Sequence, residues 1–239
     1  MVAGAVAVVA VAVGAVLWQG ANTHTGSWFG QQVAHGPRTG GRVAITFDDG
    51  PNSTATVPIR DELDARGLKG TFFVVGRAVA DRPDLVRALV ERGHLVANHS
   101  WRHDSKAWLD PRYPELTRTQ QAIDTALGVC PAFYRAPHGQ HTPLLARVVH
   151  RHHMTMIGWD VSAGDWNARN PQNLADRIVA KARPGSIIDL HDGLDGRVDL
   201  DRTILVDALP AILDGLAAKG LRPVRLDELI GRPGYLSGC

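Results

Sequence analysis

The sequence predicts an α/β fold: a single domain built as a (β/α) barrel of about seven parallel strands, imperfectly closed. Three observations carry this expectation. From Val43 onward, short apolar runs alternate with amphipathic stretches that have recognisable helix ends. Repeated strand–helix units return the chain in the same direction, so the strands they link run parallel. Chemically useful side chains also fall at the ends of the strand-like runs, where barrels of parallel strands gather their chemistry. A length of 239 residues suits one such domain with a sizeable core.

Taken in order, residues 1–18 contain an uncharged Ala/Val-rich run, Val2–Trp18. A stretch of about 17 apolar residues fits either an uncleaved membrane anchor or the core of a cleaved signal peptide. Both readings put the catalytic part outside the cytoplasm, extracellular or anchored to the membrane and facing the exterior. Residues 19–41, with Gly20, Gly26, Gly30, Gly36, Pro37, Gly40 and Gly41, read as a linker that becomes ordered near the domain. Residues 42–230 form the catalytic domain, and 231–239 read as a tail. The strand candidates are Val43–Phe47, Thr71–Val75, Leu95–Asn98, Phe133–Arg135, Met154–Trp159, Ser186–Leu190 and Leu221–Arg225.

The helical patterns between them have chemical punctuation. One near Pro58–Arg66 stops at Gly67, and one from Pro83 stops at Gly93 with Leu85, Val86, Leu89 and Val90 on one face. A third runs from Pro114 to Gly128, Asn170-Pro171 reads as a cap with a first-turn proline, and Thr203–Lys219 meets Gly220. Formal net charge is +2 and no dense Lys/Arg run occurs, so composition makes no case for nucleic acid. The two cysteines, Cys130 and Cys239, lack metal-site spacing; export permits a disulfide, and two unpaired thiols fit equally well.

Two distant clusters read as one metal site. Asp48 and Asp49 lie where a strand breaks into Gly50-Pro51. Strand side chains alternate faces, so adjacent carboxylates converge only where the strand ends. His99 and His103 are spaced i, i+4, which suits one shared ion if Ser100–His103 forms a helical turn. A metal taking one carboxylate and two neutral imidazoles leaves the second carboxylate free as a base. Each cluster alone has a plainer reading, an Asx turn for the aspartates and loop histidines for the imidazoles. The pattern is not H-E-x-x-H, which argues against a zincin protease. His141, His150, His152 and His153 read as a solvated patch, and Trp101 and Trp108 as core packing or sugar-stacking platforms.

Together with Arg135-Ala136-Pro137-His138-Gly139, Gly164-Asp165-Trp166 and Asp189-Leu190-His191-Asp192, these clusters resemble the polysaccharide deacetylases, carbohydrate esterase family four. Five motifs agree in order over roughly residues 42–230. The resemblance implies an irregular (β/α) barrel that hydrolyses N-acetyl, sometimes O-acetyl, groups of polymeric sugars with a divalent metal. It makes Asp49, His99 and His103 the metal ligands, with Zn2+ the first candidate and Co2+ or another divalent ion the alternative. It makes Asp48 the general base paired with Arg135, and His191 the general acid oriented by Asp165. It gives substrate contacts to His138, through its backbone amide, to Trp166 and to Leu190.

The sequence departs from the family pattern at His138, usually Tyr or Phe, at Ser162, often Asp, and at Asp189, usually Leu. Strand alternation turns Asp189 to the same side as His191, where an unpaired charge would be costly, so a partner is expected. Asp189 then either tunes His191 or selects the acyl group, or it bonds an Arg or backbone group without a catalytic part. The implied activity is N-deacetylation of an aminosugar polymer, peptidoglycan first and chitin-type N-acetylglucosamine second. An O-acetyl esterase, a deformylase on another glycan and a catalytically silent carbohydrate-binding protein are the alternatives.

Overall fold

The structure, a computed structural model, describes residues 32–140 and 142–239 together with isolated positions between 12 and 30; the side chain of Trp108 is not among them. The apolar run Val2–Trp18 therefore lies largely outside the described residues, as does His141. Among the described residues, no helix is long and apolar enough to cross a membrane.

The elements are β1 (Gln32–Val33), β2 (Arg42–Asp48), α1 (Thr56–Ala65), β3 (Thr71–Val74), α2 (Gly76–Asp81), α3 (Pro83–Glu91), β4 (Leu95–Asn98), α4 (Pro114–Leu127), β5 (Cys130–Pro131) and β6 (Phe133–Tyr134). They continue as α5 (Pro143–Arg151), β7 (Thr155–Ile157), β8 (Val161–Ser162), α6 (Pro171–Lys181), β9 (Ile187–His191), α7 (Thr203–Ala218), β10 (Arg222–Val224), α8 (Leu226–Ile230) and β11 (Tyr235–Leu236). Nine strands form one parallel sheet in the order β1-β7-β6-β4-β3-β2-β9-β8, with β10 pairing the first half of β2. Just beyond β1, His35 bridges Ser186 beside β9 and draws the two flanks of the sheet together.

All seven strands expected from sequence are present. Those not foreseen, β1, β5, β8 and β11, are two residues long, too short to display a period of two. The cap expected at Asn170 is there: its side-chain oxygen accepts from the Asn173 amide at 2.8 Å. Gly128 ends α4 at φ 67°, a conformation open to glycine without a Cβ penalty.

Alternation along β2 explains the placement of the site. Val43, Ile45 and Phe47 face the helices, where they join Ile59, Leu63, Leu209 and Ile212 in the larger core. The other face lines the barrel. Its lower level is apolar, with Ala44 opposite Ile187 and with Leu226 and Leu229 of α8 packed into the same cluster. One level up, Thr46 faces Asp189, and above that Asp48 faces His191. The interior thus turns from aliphatic to ionisable towards the strands' C-terminal ends, which fixes where chemistry can occur.

The described parts of both flanking segments pair with strands of the domain. Part of the expected linker forms β1 and pairs with β7 at Gln32↔Met156 and Val33↔Ile157. The expected tail forms β11, antiparallel to β5, and brings Cys239 into a disulfide with Cys130. That bond closes a sequence separation of 109 residues. Replacing either cysteine by serine is expected to lower unfolding free energy by about 2–5 kcal/mol, read from denaturant midpoints with and without reductant.

Candidate active site

The turn after β2 carries Asp48 and Asp49. Asp49 takes a left-handed conformation, φ 74°, which swings its carboxylate out of the strand's alternation to lie beside that of Asp48. The Gly50–Pro51 peptide is cis. Gly50 is required by close approach: a Cβ there would collide with the Asp192 carboxylate, which itself accepts from Thr56 Oγ1.

The histidines follow β4. The expected helical turn over Ser100–His103 does not form. Ser100 (φ 67°) and His103 (φ 58°) are both left-handed, and His103 N–H donates to Ser100 Oγ at 3.1 Å. The two imidazoles converge through a tight loop, with ring centroids 4.9 Å apart.

His99 Nε2 lies 3.5 Å and His103 Nε2 3.4 Å from the same Asp49 oxygen, Oδ1. Each ring's other nitrogen faces an acceptor: His99 Nδ1 the Arg135 carbonyl, His103 Nδ1 the Asp195 carboxylate, both at 2.9 Å. An acceptor can only receive, so both Nδ1 atoms carry a hydrogen, and in each ring Nε2 is the atom turned towards Asp49. Burial, only partly opposed by Asp48 and Asp49, pushes His99 down to about 4, so it is neutral at neutral pH. Both Asp49 oxygens are buried and accept no hydrogen bond. A buried carboxylate that accepts no hydrogen bond, with two imidazole Nε2 atoms turned on one of its oxygens, is an arrangement that a divalent cation stabilises. The residues fit such an ion.

Asp48 is held apart from this triad. Arg135, fully buried after β6, donates through Nη1 to Asp48 Oδ1 at 2.6 Å, to Thr46 Oγ1 at 2.9 Å and to Asp189 Oδ1 at 3.2 Å. Its guanidinium also stacks on Phe73, 4.1 Å to the ring centroid. Burial alone would raise the Asp48 pKa; Arg135, His99 and His191 outweigh it and hold the carboxyl below its usual range. The Asp48 carboxyl is therefore ionised at neutral pH.

On the opposite wall, His191 Nδ1 lies 2.9 Å from Asp165 Oδ1, and Arg202 Nη2 donates to Asp165 Oδ2 at 2.6 Å. Burial disfavours the imidazolium, but Asp165 and Asp189 more than offset it, and the His191 pKa is pushed up to about 10. Trp166 meets the His191 ring edge-on at 5.1 Å. His138, at φ 55° in a 3-10 turn, meets the His103 ring edge-on with centroids 4.4 Å apart, and burial lowers its pKa. His191, Trp166 and His138 line, with Asp48, Asp49, His99 and His103, a cleft of about 430 Å³ that also includes Trp159, Asp189 and Asp195.

A family model described as polysaccharide deacetylase matches residues 35–157. The chain belongs to the polysaccharide deacetylase family. It is similar to the peptidoglycan-N-acetylglucosamine deacetylase PgdA of Listeria monocytogenes, 33% identical over 196 residues, 81% of this chain and 40% of that protein. The chain thus spans about two fifths of that relative's length. A chitooligosaccharide deacetylase of Rhizobium leguminosarum bv. trifolii is 34% identical over 187 residues, 74% of this chain and 86% of that one. Among solved structures, a family 4 carbohydrate esterase from Streptomyces lividans in complex with acetate has a TM-score of 0.71 at 33% identity, covering 83% of this chain and 97% of that chain.

Within this member of the family, the structure corrects one expected substrate contact. Leu190 is fully buried in the core under the helices and not in the cleft, because alternation turns it away from Asp189 and His191. Trp101 lies under the Arg118 guanidinium, 3.9 Å to the ring centroid, and is not among the residues that line the cleft.

Two positioning residues were not foreseen. Asp195 orients His103, and Arg202 clamps Asp165. The acidic content of His191-Asp192-Gly193-Leu194-Asp195 was a weak signal for the first. A lone Arg before a helix signalled nothing. Asp195→Ala is expected to weaken divalent-metal affinity by about 10–100-fold, measured by competition with a chromophoric chelator.

Proposed function

We propose that this chain is a metal-dependent N-deacetylase that removes acetyl groups from an aminosugar polymer, with peptidoglycan the first candidate and chitin-type N-acetylglucosamine oligomers the second. The observation that carries the proposal is the opposed charge state of two side chains on one cleft: Asp48 ionised beside Arg135, His191 protonated beside Asp165. Amide hydrolysis needs a base for the attacking water and an acid for the departing amine.

Asp49, His99 and His103 would hold the ion. When bound, a divalent cation, Zn2+ first and Co2+ as an alternative, supplies Lewis-acid polarisation of the reacting oxygens. Asp48 takes the proton from the attacking water, and Arg135 keeps that carboxylate ionised and aimed. His191 delivers its Nε2 proton to the amine as the carbon–nitrogen bond breaks, while Asp165 and Arg202 hold the ring's orientation. His138 lines the cleft on a left-handed turn, and we assign its backbone amide to the developing oxyanion. Trp166 would wall the acyl group.

His191 favours an amide substrate over an ester, because an alkoxide-type leaving group depends less on a donated proton. The relatives' substrates favour a cell-wall or chitin-type glycan and hence action outside the cytoplasm, by a secreted or membrane-anchored form. The test is acetate release from N-acetylglucosamine oligomers and from peptidoglycan, with and without chelator, alongside metal analysis. Absence of release from every N-acetylated glycan with metal bound would overturn the assignment.

A further inference from the structure

The cleft holds a carboxyl, that of Asp189, which the proposed reaction does not use. Asp189 is on β9 two residues before His191, faces the barrel interior and lines the cleft. One carboxylate oxygen of Asp48, one of Asp189 and one ring nitrogen of His191 lie within 4.8 Å of one another. These three groups could in principle ligate a cation, but the Arg135 guanidinium already occupies the space between the two carboxyls. Asp189 thus sits against both the base and the acid.

Its depth decides what it can touch. The Asp189 carboxyl is almost fully buried, with Thr46 beside it and the apolar Ala44–Ile187 level below. A polymer must stay in the open part of the cleft, so only the small acyl end of a substrate held between Asp48 and His191 can reach this closed inner end. A methyl group there would rest on a polar carboxyl and make no hydrogen bond, which wastes the polar group. Among the described residues, Arg135 is the side chain that donates to this carboxyl, at Oδ1.

We propose that Asp189 determines acyl specificity, and that this site prefers a hydroxylated acyl group, of which glycolyl is the smallest, over acetyl. The inference rests on the N-deacylase reading above. A hydroxyl on the acyl carbon would both donate to and accept from the Asp189 carboxyl. Burial first, then the neighbouring Asp48 charge, pushes the Asp189 pKa up to about 8. A site built to hydrogen-bond a substrate hydroxyl discriminates strongly against the analogue that lacks it.

The test compares kcat/KM of the metal-loaded protein on one chitin-type oligomer prepared in N-acetyl and N-glycolyl forms. The wild type is expected to favour the glycolyl form by roughly tenfold or more. Asp189→Leu is expected to lower that ratio by at least about tenfold, and Asp189→Asn, which keeps a hydrogen-bonding group, by less. A wild-type preference for acetyl overturns the inference without any variant, as does a ratio unmoved by Asp189→Leu, and both leave the deacylase reading standing. If neither form is cleaved by metal-loaded wild type, the deacylase reading fails and this inference falls with it.

Discussion

Asp48→Asn is expected to lower kcat by about 10²–10⁴-fold while metal content stays at the wild-type level. The two halves of this expectation test different statements. Loss of turnover follows because asparagine accepts no proton from water at neutral pH. Retention of metal follows because the three atoms that converge are Asp49 Oδ1 and the two histidine Nε2 atoms, whereas Asp48 Oδ1 is taken by Arg135 at 2.6 Å. Asp48 Oδ2 does approach His99 Nε2, at 3.6 Å, so the alternative has a geometric basis and can be tested. The comparison variant is Asp49→Asn, which should lose metal and activity together. If Asp48→Asn instead emptied the site and Asp49→Asn did not, the roles of the two aspartates would be exchanged. Metal content by atomic spectroscopy, set beside kcat for each variant, separates the outcomes.

How far the sequence discloses this site depends on the distance over which each decision is made. The seven expected strands, the capped helix at Asn170 and the polar rim are written in local periodicity and punctuation, and all are present. Spacing read as helix misled at His99 and His103, where two left-handed residues make the convergence. An i, i+4 spacing constrains the number of bonds between two rings and leaves their path open. Leu190 was assigned to substrate by its place in a motif, yet the period of two that correctly turned Asp189 inward also turns Leu190 outward. Asp195 and Arg202 act across 92 and 37 residues of chain, and no local pattern marks such partners. The disulfide was equally open, since only the β5–β11 pairing brings Cys239 to Cys130.

His191→Ala is expected to reduce amide cleavage by about 10²–10⁴-fold, yet cost no more than about tenfold on an activated aryl ester such as nitrophenyl acetate. The contrast arises from the leaving groups. An amine must be protonated as the carbon–nitrogen bond breaks, whereas a nitrophenolate leaves unaided. Equal losses on both substrates would count against His191 as the acid. The same assignment makes a claim about pH. Because Asp165 first and Asp189 second raise the His191 pKa to about 10, the donor form persists through neutral pH. Amide kcat/KM should therefore fall only as pH rises through about 10. Asp165→Asn removes the charge that most opposes burial, so the alkaline limb should move to lower pH in that variant. Arg202 is bound to the other Asp165 oxygen and to the His191 carbonyl, at 2.6 and 3.0 Å, and so fixes the carboxylate that fixes the ring. Arg202→Met should then lower kcat more than it raises KM, because it loosens the acid and leaves the cleft walls intact. An alkaline limb that stayed in place in Asp165→Asn would mean that some other group delivers the proton.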